Sequence, residues 1–336
     1  MRPQDLKRLP DPAVYFPIEK GLYEVAPGLR PLGTEFGNGV SDRKVIQVDR
    51  AFAKYRANRL KCRSERLTKY VIELDTSLER TRSVNRFLVQ RLLKDEPEWF
   101  SWFVSPDGGG KLKCHLTGDV LKFDPSFDWR GSNRTLDWEG PDYLSGFDAL
   151  VSQMQEDLGI LCLEPEFDRL QALHLCSPSH WAAEDKIGRS FFDIHAPIPG
   201  VDRMNRSARA LSEAMVHKGP YVRFVWGFAT DDRLNHHPEP APGEEGGVWK
   251  GRSFDASMEP EPFLLRVERQ VTFGIPAVGI SLFFIRVSFV PGSRIRSNPQ
   301  WSSGLVSALR SMTPESRRYK GLEESFDPLL DWLTQA

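Results

Sequence analysis

His195 lies in the run Phe191-Phe192-Asp193-Ile194-His195-Ala196-Pro197-Ile198-Pro199-Gly200. An imidazole between a phenylalanine pair and two prolines suits ligation of a metal or cofactor. Each proline fixes φ and removes a backbone donor, so the chain after His195 is expected to be extended and stiff. The plainer alternative is a hydrogen-bonded imidazole near a turn. A second centre falls in residues 264–289, which read as a hairpin turning at Gly274-Ile275-Pro276-Ala277. On its first strand Leu265, Val267, Arg269, Val271 and Phe273 share one face, and Arg266, Glu268, Gln270 and Thr272 the other. A guanidinium in an apolar row needs an anion, so Arg269 wants either a protein carboxylate or an anionic ligand. Residues 221–228 alternate likewise, with Val222, Phe224, Trp226 and Phe228 opposite Tyr221, Arg223, Val225 and Gly227.

Other reactive side chains carry less. The patterns HExxH, GxSxG and GxGxxG and a two-histidine zinc spacing are all missing. His236 and His237 are adjacent, would point to opposite faces of a strand, and in a proline-rich context read as surface residues. His180, beside Trp181, reads as a packing or capping residue in the first turn of a helix. Cys176 and His174 would share a strand face as a thiol and a base, without an evident orienting acid. The four cysteines, Cys62, Cys114, Cys162 and Cys176, form no CxxC pair, which argues against a zinc knuckle or disulfide framework and fits a reducing compartment.

Several elements must position these groups. Residues 13–49, rich in Gly and Pro, read as an irregular wrap whose Tyr15, Phe16, Leu22, Tyr23, Val25, Leu29 and Leu32 need burial. Residues 50–94 turn helical and highly charged, with Leu60, Leu67, Tyr70, Val71, Leu74 and Leu78 at threes and fours. Residues 98–127 read as short strands with a turn at Pro106-Asp107-Gly108-Gly109-Gly110; the DGGGKLK run lacks phosphate-loop spacing. Residues 147–163 read as one helix striped by Phe147, Leu150, Met154, Leu158 and Leu161. Ser177-Pro178 reads as a helix start that Gly188 ends. Met204, Ala208, Leu211 and Met215 mark another helix, stopped by Gly219-Pro220. Residues 231–262 form a long Pro-, Gly- and Glu-loaded segment of the kind used as a lid, partner surface or disordered insertion. Residues 303–336 read as two short helices bridged by RRYKGLEE.

The totals bound the function classes. With 45 basic and 46 acidic side chains the formal charge is −1, and nothing in these totals suggests a basic nucleic-acid surface. Apolar residues at 40% allow a sizeable core, and 21 Phe with 9 Trp fit a buried flat ligand as well as an ordinary core. No secretory signal is read at the N-terminus. The apolar run at 280–290 is broken by Ser281, Arg286 and Ser288, so no membrane span is expected and a soluble, cytoplasmic protein is. No internal repeat or clear two-domain boundary is seen. The expected organisation is one unit over 1–336, a wrap with helices (about 1–145) and a core (about 146–336).

Taken in order, PGLRPLG, VIQVD, YRANR, MQEDLGIL, SPSHWAAEDKIGRSFFDIHAPIPG, RFVW, LLRVERQ, FFIRV and RRYKGL run through nearly the whole chain. Together they resemble the alpha subunit of haem-dependent oxidative N-demethylase (dimethylamine monooxygenase). The resemblance implies an α+β, PAS-like antiparallel sheet packed with helices, with a haem pocket between sheet and helices. It also implies an oxygenase that removes a methyl group from a small secondary amine using O₂. The electrons would come from NADPH through separate flavin and iron–sulfur subunits, in a hetero-oligomer with a reductase partner. His195 is then the expected axial ligand of haem b, with His174 and His180 as fallbacks. Arg223, Arg266 and Arg269 are expected to offset the propionates, with Trp226 as wall or core. Glu268 would hold a protonated amine or relay protons, or else neutralise the neighbouring arginines. Family members often carry Asn where this chain has Val225, which puts dimethylamine itself in question. A haem-binding sensor or carrier without turnover is the competing reading, and a scaffold that has lost haem a third.

Overall fold

The computed structural model describes residues 3–18, 20–39, 42–134, 140–244, 254–258 and 261–335. It is a mixed α+β fold with two open antiparallel sheets. The strands in chain order are β1 (Arg30–Pro31), β2 (Val71–Glu73), β3 (Phe100–Val104), β4 (Gly110–Cys114), β5 (Val120–Phe123) and β6 (Trp129–Asn133). They continue with β7 (Asp157–Leu163), β8 (Asp168–His174), β9 (Tyr221–Ala229), β10 (Leu264–Ile275) and β11 (Ile280–Pro291). The larger sheet has the order β1-β9-β10-β11-β7-β8-β2, and β3 to β6 form a four-stranded meander.

The β10–β11 hairpin occupies the centre. Branched and aromatic residues favour extension along both arms. Pro276–Val278 forms a single 3-10 turn, and Gly279 closes it at φ 63°, a conformation that suits glycine. Directly paired residues share a face, so the register sorts the side chains. Arg223, Gln270, Ile285 and Asp157 line one face with Val225, Glu268 and Val287, and with Gly227, Arg266 and Phe289. Phe224, Arg269 and Arg286 line the other, together with Trp226 and Val267. The alternation read from the sequence is thus the alternation observed.

Two apolar bodies cover the Phe224 face. Val222, Val271, Phe284, Leu158 and Ile160 pack with Val84, Leu88, Val89 and Leu92 of the helix Leu78–Asp95 and with Leu112, Leu121 and Phe123 of the meander. Leu265, Val267, Val290 and Phe228 pack instead with Leu305, Leu309, Leu329 and Leu333 of the C-terminal helices. The wrap contributes to both, through Val45, Ile46 and Val48 to the first and Tyr15 and Ile18 to the second. On the Arg223 face the helix Ala208–His217 lies so close that a Cβ at Gly274 would sit 1.9 Å from the Val216 carbonyl oxygen.

Several expectations need correction. Residues 147–163 are not one helix: Gly146–Val151 is helical, and Asp157–Leu163 is β7, paired with β11 and β8. The apolar run suits a strand buried on both faces, which a short helical stripe mimics. No helix spans 177–188. Ser177 N donates to Asp157 Oδ2, Arg266 donates to the Ser177 and Pro178 carbonyls, and Ser179 bridges to His236. These tertiary bonds satisfy the backbone that a helix would have used. The stretch after His195 is turned rather than extended, with Ala196 at φ −48°, ψ −36°. Residues 50–94 form two helices, Phe52–Tyr70 and Leu78–Asp95, with β2 between them. The tail carries three helices, Pro299–Arg310, Pro314–Tyr319 and Phe326–Thr334. His236 and His237 are buried, not surface residues. Residues 245–253 and 259–260 of the long segment lie outside the described residues; Leu234 and Phe254 within it are buried. Among the described residues no helix is long and apolar enough to cross a membrane.

Candidate functional site

His195 ends the short helix Phe191–His195, which Ser190 caps by accepting a hydrogen bond from Asp193 N at 3.1 Å. Its Nδ1 lies 2.7 Å from the Phe191 carbonyl oxygen. A carbonyl only accepts, so Nδ1 carries the proton and Nε2 keeps a lone pair. The ring packs 4.2 Å from that of Phe191. Burial, aided by the positive charges of Arg223 and Lys186, brings the imidazole down to about 4 against the bonding to Phe191. The imidazole is therefore neutral at pH 7.

Arg223 projects from β9 on the sheet face that the helix Ala208–His217 also covers. Its guanidinium is half-buried, and burial lowers it to about 10 against the pull of Glu268. Among the described residues no carboxylate lies within ion-pair distance of it. Glu268, paired with Val225 across the strands, is 9% exposed and accepts a hydrogen bond from Gln270 Nε2 at 3.0 Å. Lys320 approaches from the C-terminal segment: Nζ donates to the Trp226 carbonyl at 2.8 Å, and burial lowers the amine to about 8 against the attraction of Glu268. His195, Arg223, Glu268 and Lys320 thus act on one another electrostatically. Lys320 was not singled out from the sequence, where RRYKGL reads only as a helix connection.

The other arginines are engaged elsewhere. Arg269, on the opposite face, donates Nε to Asp42 at 3.0 and 3.1 Å and Nη2 to the Lys44 carbonyl at 2.6 Å. It thus takes the protein-carboxylate alternative. Arg266 shares the Arg223 face but spends its guanidinium on the carbonyls of Leu234, Ser177 and Pro178 at 3.1, 2.7 and 3.1 Å. Trp226 faces away from Arg223, edge-on to Tyr23 and Phe228 in the C-terminal core. A cavity of about 310 Å³ is lined by Tyr15, Tyr55, Arg269, Arg286 and Phe289 and does not include His195.

Of the alternative histidines, His180 stands at φ 60° with its ring stacked 5.4 Å from His236. His174 is fully buried, with Nε2 3.2 Å from Asp148 and Nδ1 3.8 Å from Cys176 Sγ. The orienting acid that the sequence did not reveal for this Cys–His pair is therefore Asp148, from a helix 26 residues upstream of His174. Sequence spacing alone holds no signal for that contact.

A family model described as haem-dependent oxidative N-demethylase, alpha subunit-like, matches residues 38–330, which is most of the chain.

Proposed function

The chain belongs to that haem-dependent oxidative N-demethylase alpha-subunit-like family, and from that premise we propose that it is the haem-bearing oxygenase subunit of a small-amine N-demethylase. The observation that carries this reading is the state of His195. It is a neutral imidazole whose Nδ1 is tied to a backbone carbonyl and whose Nε2 is left for a metal. The groups around it fit haem. Arg223 is a partly accessible cation without a carboxylate ion-pair partner among the described residues, suited to a propionate that a low-dielectric site must neutralise. Haem bound there supplies the activation of O₂ for oxidation of an N-methyl carbon.

The chain's own residues have separable tasks in this proposal. His195 would hold the iron through Nε2, its ring oriented by the Phe191 carbonyl. Glu268, steadied by Gln270, takes the charge of a protonated secondary amine or passes a proton at its Oε atoms. Val225, directly across from Glu268, leaves that neighbourhood apolar, which favours a substrate with a larger alkyl group than dimethylamine. The fold would be a PAS-like sheet with haem between the Arg223 face and the helices that cover it. Electrons would arrive from NADPH through flavin and iron–sulfur partner subunits; the alpha-subunit description supports only that the chain works in a multi-subunit assembly.

The test is haem reconstitution of the purified chain. Wild type should acquire a Soret band, and His195→Ala should lose it while its circular dichroism stays unchanged. A Soret band unaltered by His195→Ala would overturn the ligand assignment. Haem binding with no formaldehyde release from a panel of N-methyl amines, with the reductase partner and NADPH present, would favour the sensor or carrier reading.

A further inference from the structure

Away from His195, a second reactive centre is built around Cys176. Its Sγ lies 3.8 Å from His174 Nδ1, and His174 Nε2 lies 3.2 Å from Asp148 Oδ1. Asp148 is in turn bound by Arg63. Sulfur, imidazole and orienting acid therefore stand in sequence, the arrangement that activates a thiol. Cys62, from the helix Phe52–Tyr70, packs with Cys176 in one buried cluster, and its Sγ lies 3.7 Å from the Cys176 carbonyl oxygen. Asn235 Nδ2 reaches Cys62 Sγ at 3.5 Å, and the Arg59 charge also acts on Cys176.

Charge accounting decides what this centre is for. Asp157, His174 and Cys176 bring ligand atoms within 4.8 Å of one another, a spacing open to a metal ion. Both Asp157 oxygens are taken, however, by Arg59 Nη2 at 3.1 Å and Ser177 N at 2.6 Å. The negative charges of Asp148, Asp157 and a Cys176 thiolate already face Arg59, Arg63, Arg266 and His174, so a divalent cation would add to cations already in place. Burial at 1% exposure also excludes bulky substrates. Burial alone would raise the Cys176 thiol; the neighbouring Cys62 thiol and the His174 charge outweigh it and bring it down to about 6. Burial pushes Cys62 up, so the pair holds one thiolate and one thiol.

We propose that Cys62 and Cys176 are a peroxide-reactive dithiol, in which Cys176 attacks and Cys62 resolves to a reversible disulfide. The Cys176 thiolate attacks one oxygen of hydrogen peroxide. The O–O bond breaks, and the departing hydroxide takes a proton from His174, leaving a sulfenic acid on Cys176. Cys62 then gives up its proton and attacks that sulfur; the S–O bond breaks and water leaves. The dithiol loses two electrons and the peroxide becomes two waters. The product ties the helix Phe52–Tyr70 to the segment after β8.

Cys114 and Cys162 serve as internal controls: each is 1% exposed, and burial raises both. The intact chain is treated with graded hydrogen peroxide, quenched in denaturant with an alkylating agent, and mapped by mass spectrometry. A Cys62–Cys176 cross-linked peptide is expected at doses at least tenfold below those that oxidise Cys114 or Cys162, and dithiothreitol should reverse it. With Cys62→Ser, Cys176 should be trapped as a dimedone-labelled sulfenic acid. Cys62 and Cys176 remaining reduced, or oxidising no faster than the two controls, would overturn the proposal. Because that comparison is made within one folded wild-type chain, it holds even where a variant fails to fold.

Discussion

Arg269 on β10 and Asp42 in the N-terminal wrap form a fully buried ion pair, 1% and 0% exposed at the side chains, across 227 positions of sequence. The Arg269 guanidinium also holds the Lys44 and Val45 carbonyls, so it clamps the wrap against the central strand. Removing one partner strands a buried charge, a loss of about 3–5 kcal/mol. Arg269→Leu should lose stability on that scale in urea denaturation, and haem affinity of the remaining folded protein should not change. Asp42→Asn should lose a comparable amount, and the double variant should lose less than the sum. Weakened haem binding at full stability would instead give Arg269 a propionate role.

The acid behaviour of the protein follows from His195. The unfolded ring binds its proton near 6.5, whereas the folded ring resists until about 4. Between those values the unfolded chain holds more protons, so this residue makes stability fall as pH drops from about 6.5 to 4. If His195 holds haem, the Soret band should survive well below pH 6.5. The check is the Soret band followed across a pH series, where release with a midpoint near 6.5 would contradict a neutral, buried ligand.

Arg223 should behave oppositely to Arg269. Its burial is not offset by an ion pair with a described carboxylate, so Arg223→Leu should leave the urea midpoint unchanged or slightly higher. Haem dissociation, followed by transfer to apomyoglobin, should become about tenfold faster, an affinity loss of about 1.4 kcal/mol. A variant that binds haem as well as wild type would remove Arg223 from the cofactor site.

Glu268 separates binding of the cofactor from chemistry on the amine. Glu268→Gln keeps the size of the side chain and its contact with Gln270. It should retain the Soret band yet lose about 10²–10⁴-fold in kcat/KM for a secondary amine. Unchanged turnover would return Glu268 to the plain task of neutralising Arg223 and Lys320.

Face assignments on β9 and β10 were readable because period-two alternation survives wherever each strand has an apolar side, and the register bears this out. The meander was readable for a related reason, since Pro106-Asp107-Gly108 announces its turn. Residues 147–163 misled because Leu158 and Leu161 satisfy a helical spacing while lying in a doubly buried strand. Residues 177–188 misled because a Ser-Pro start is a local signal, and Arg266 reaches in from β10 to claim those carbonyls. Partners distant in sequence, such as Asp42 for Arg269, Asp148 for His174 and Glu268 for Lys320, leave no trace in local pattern. For that reason the identity of Arg269's anion stayed open until the wrap was placed.

The strand order has a consequence for how the chain is made. β10 and β11 occupy the middle of the seven-stranded sheet but leave the ribosome after β7, β8 and β9. At roughly 5–20 residues per second, the apolar faces of β7 and β8 wait on the order of ten seconds for the hairpin that covers their free edge. During that interval the nascent polypeptide offers an unpaired, strongly aliphatic ribbon to its surroundings, so its passage to the native state depends on protection at that moment more than on the stability finally reached.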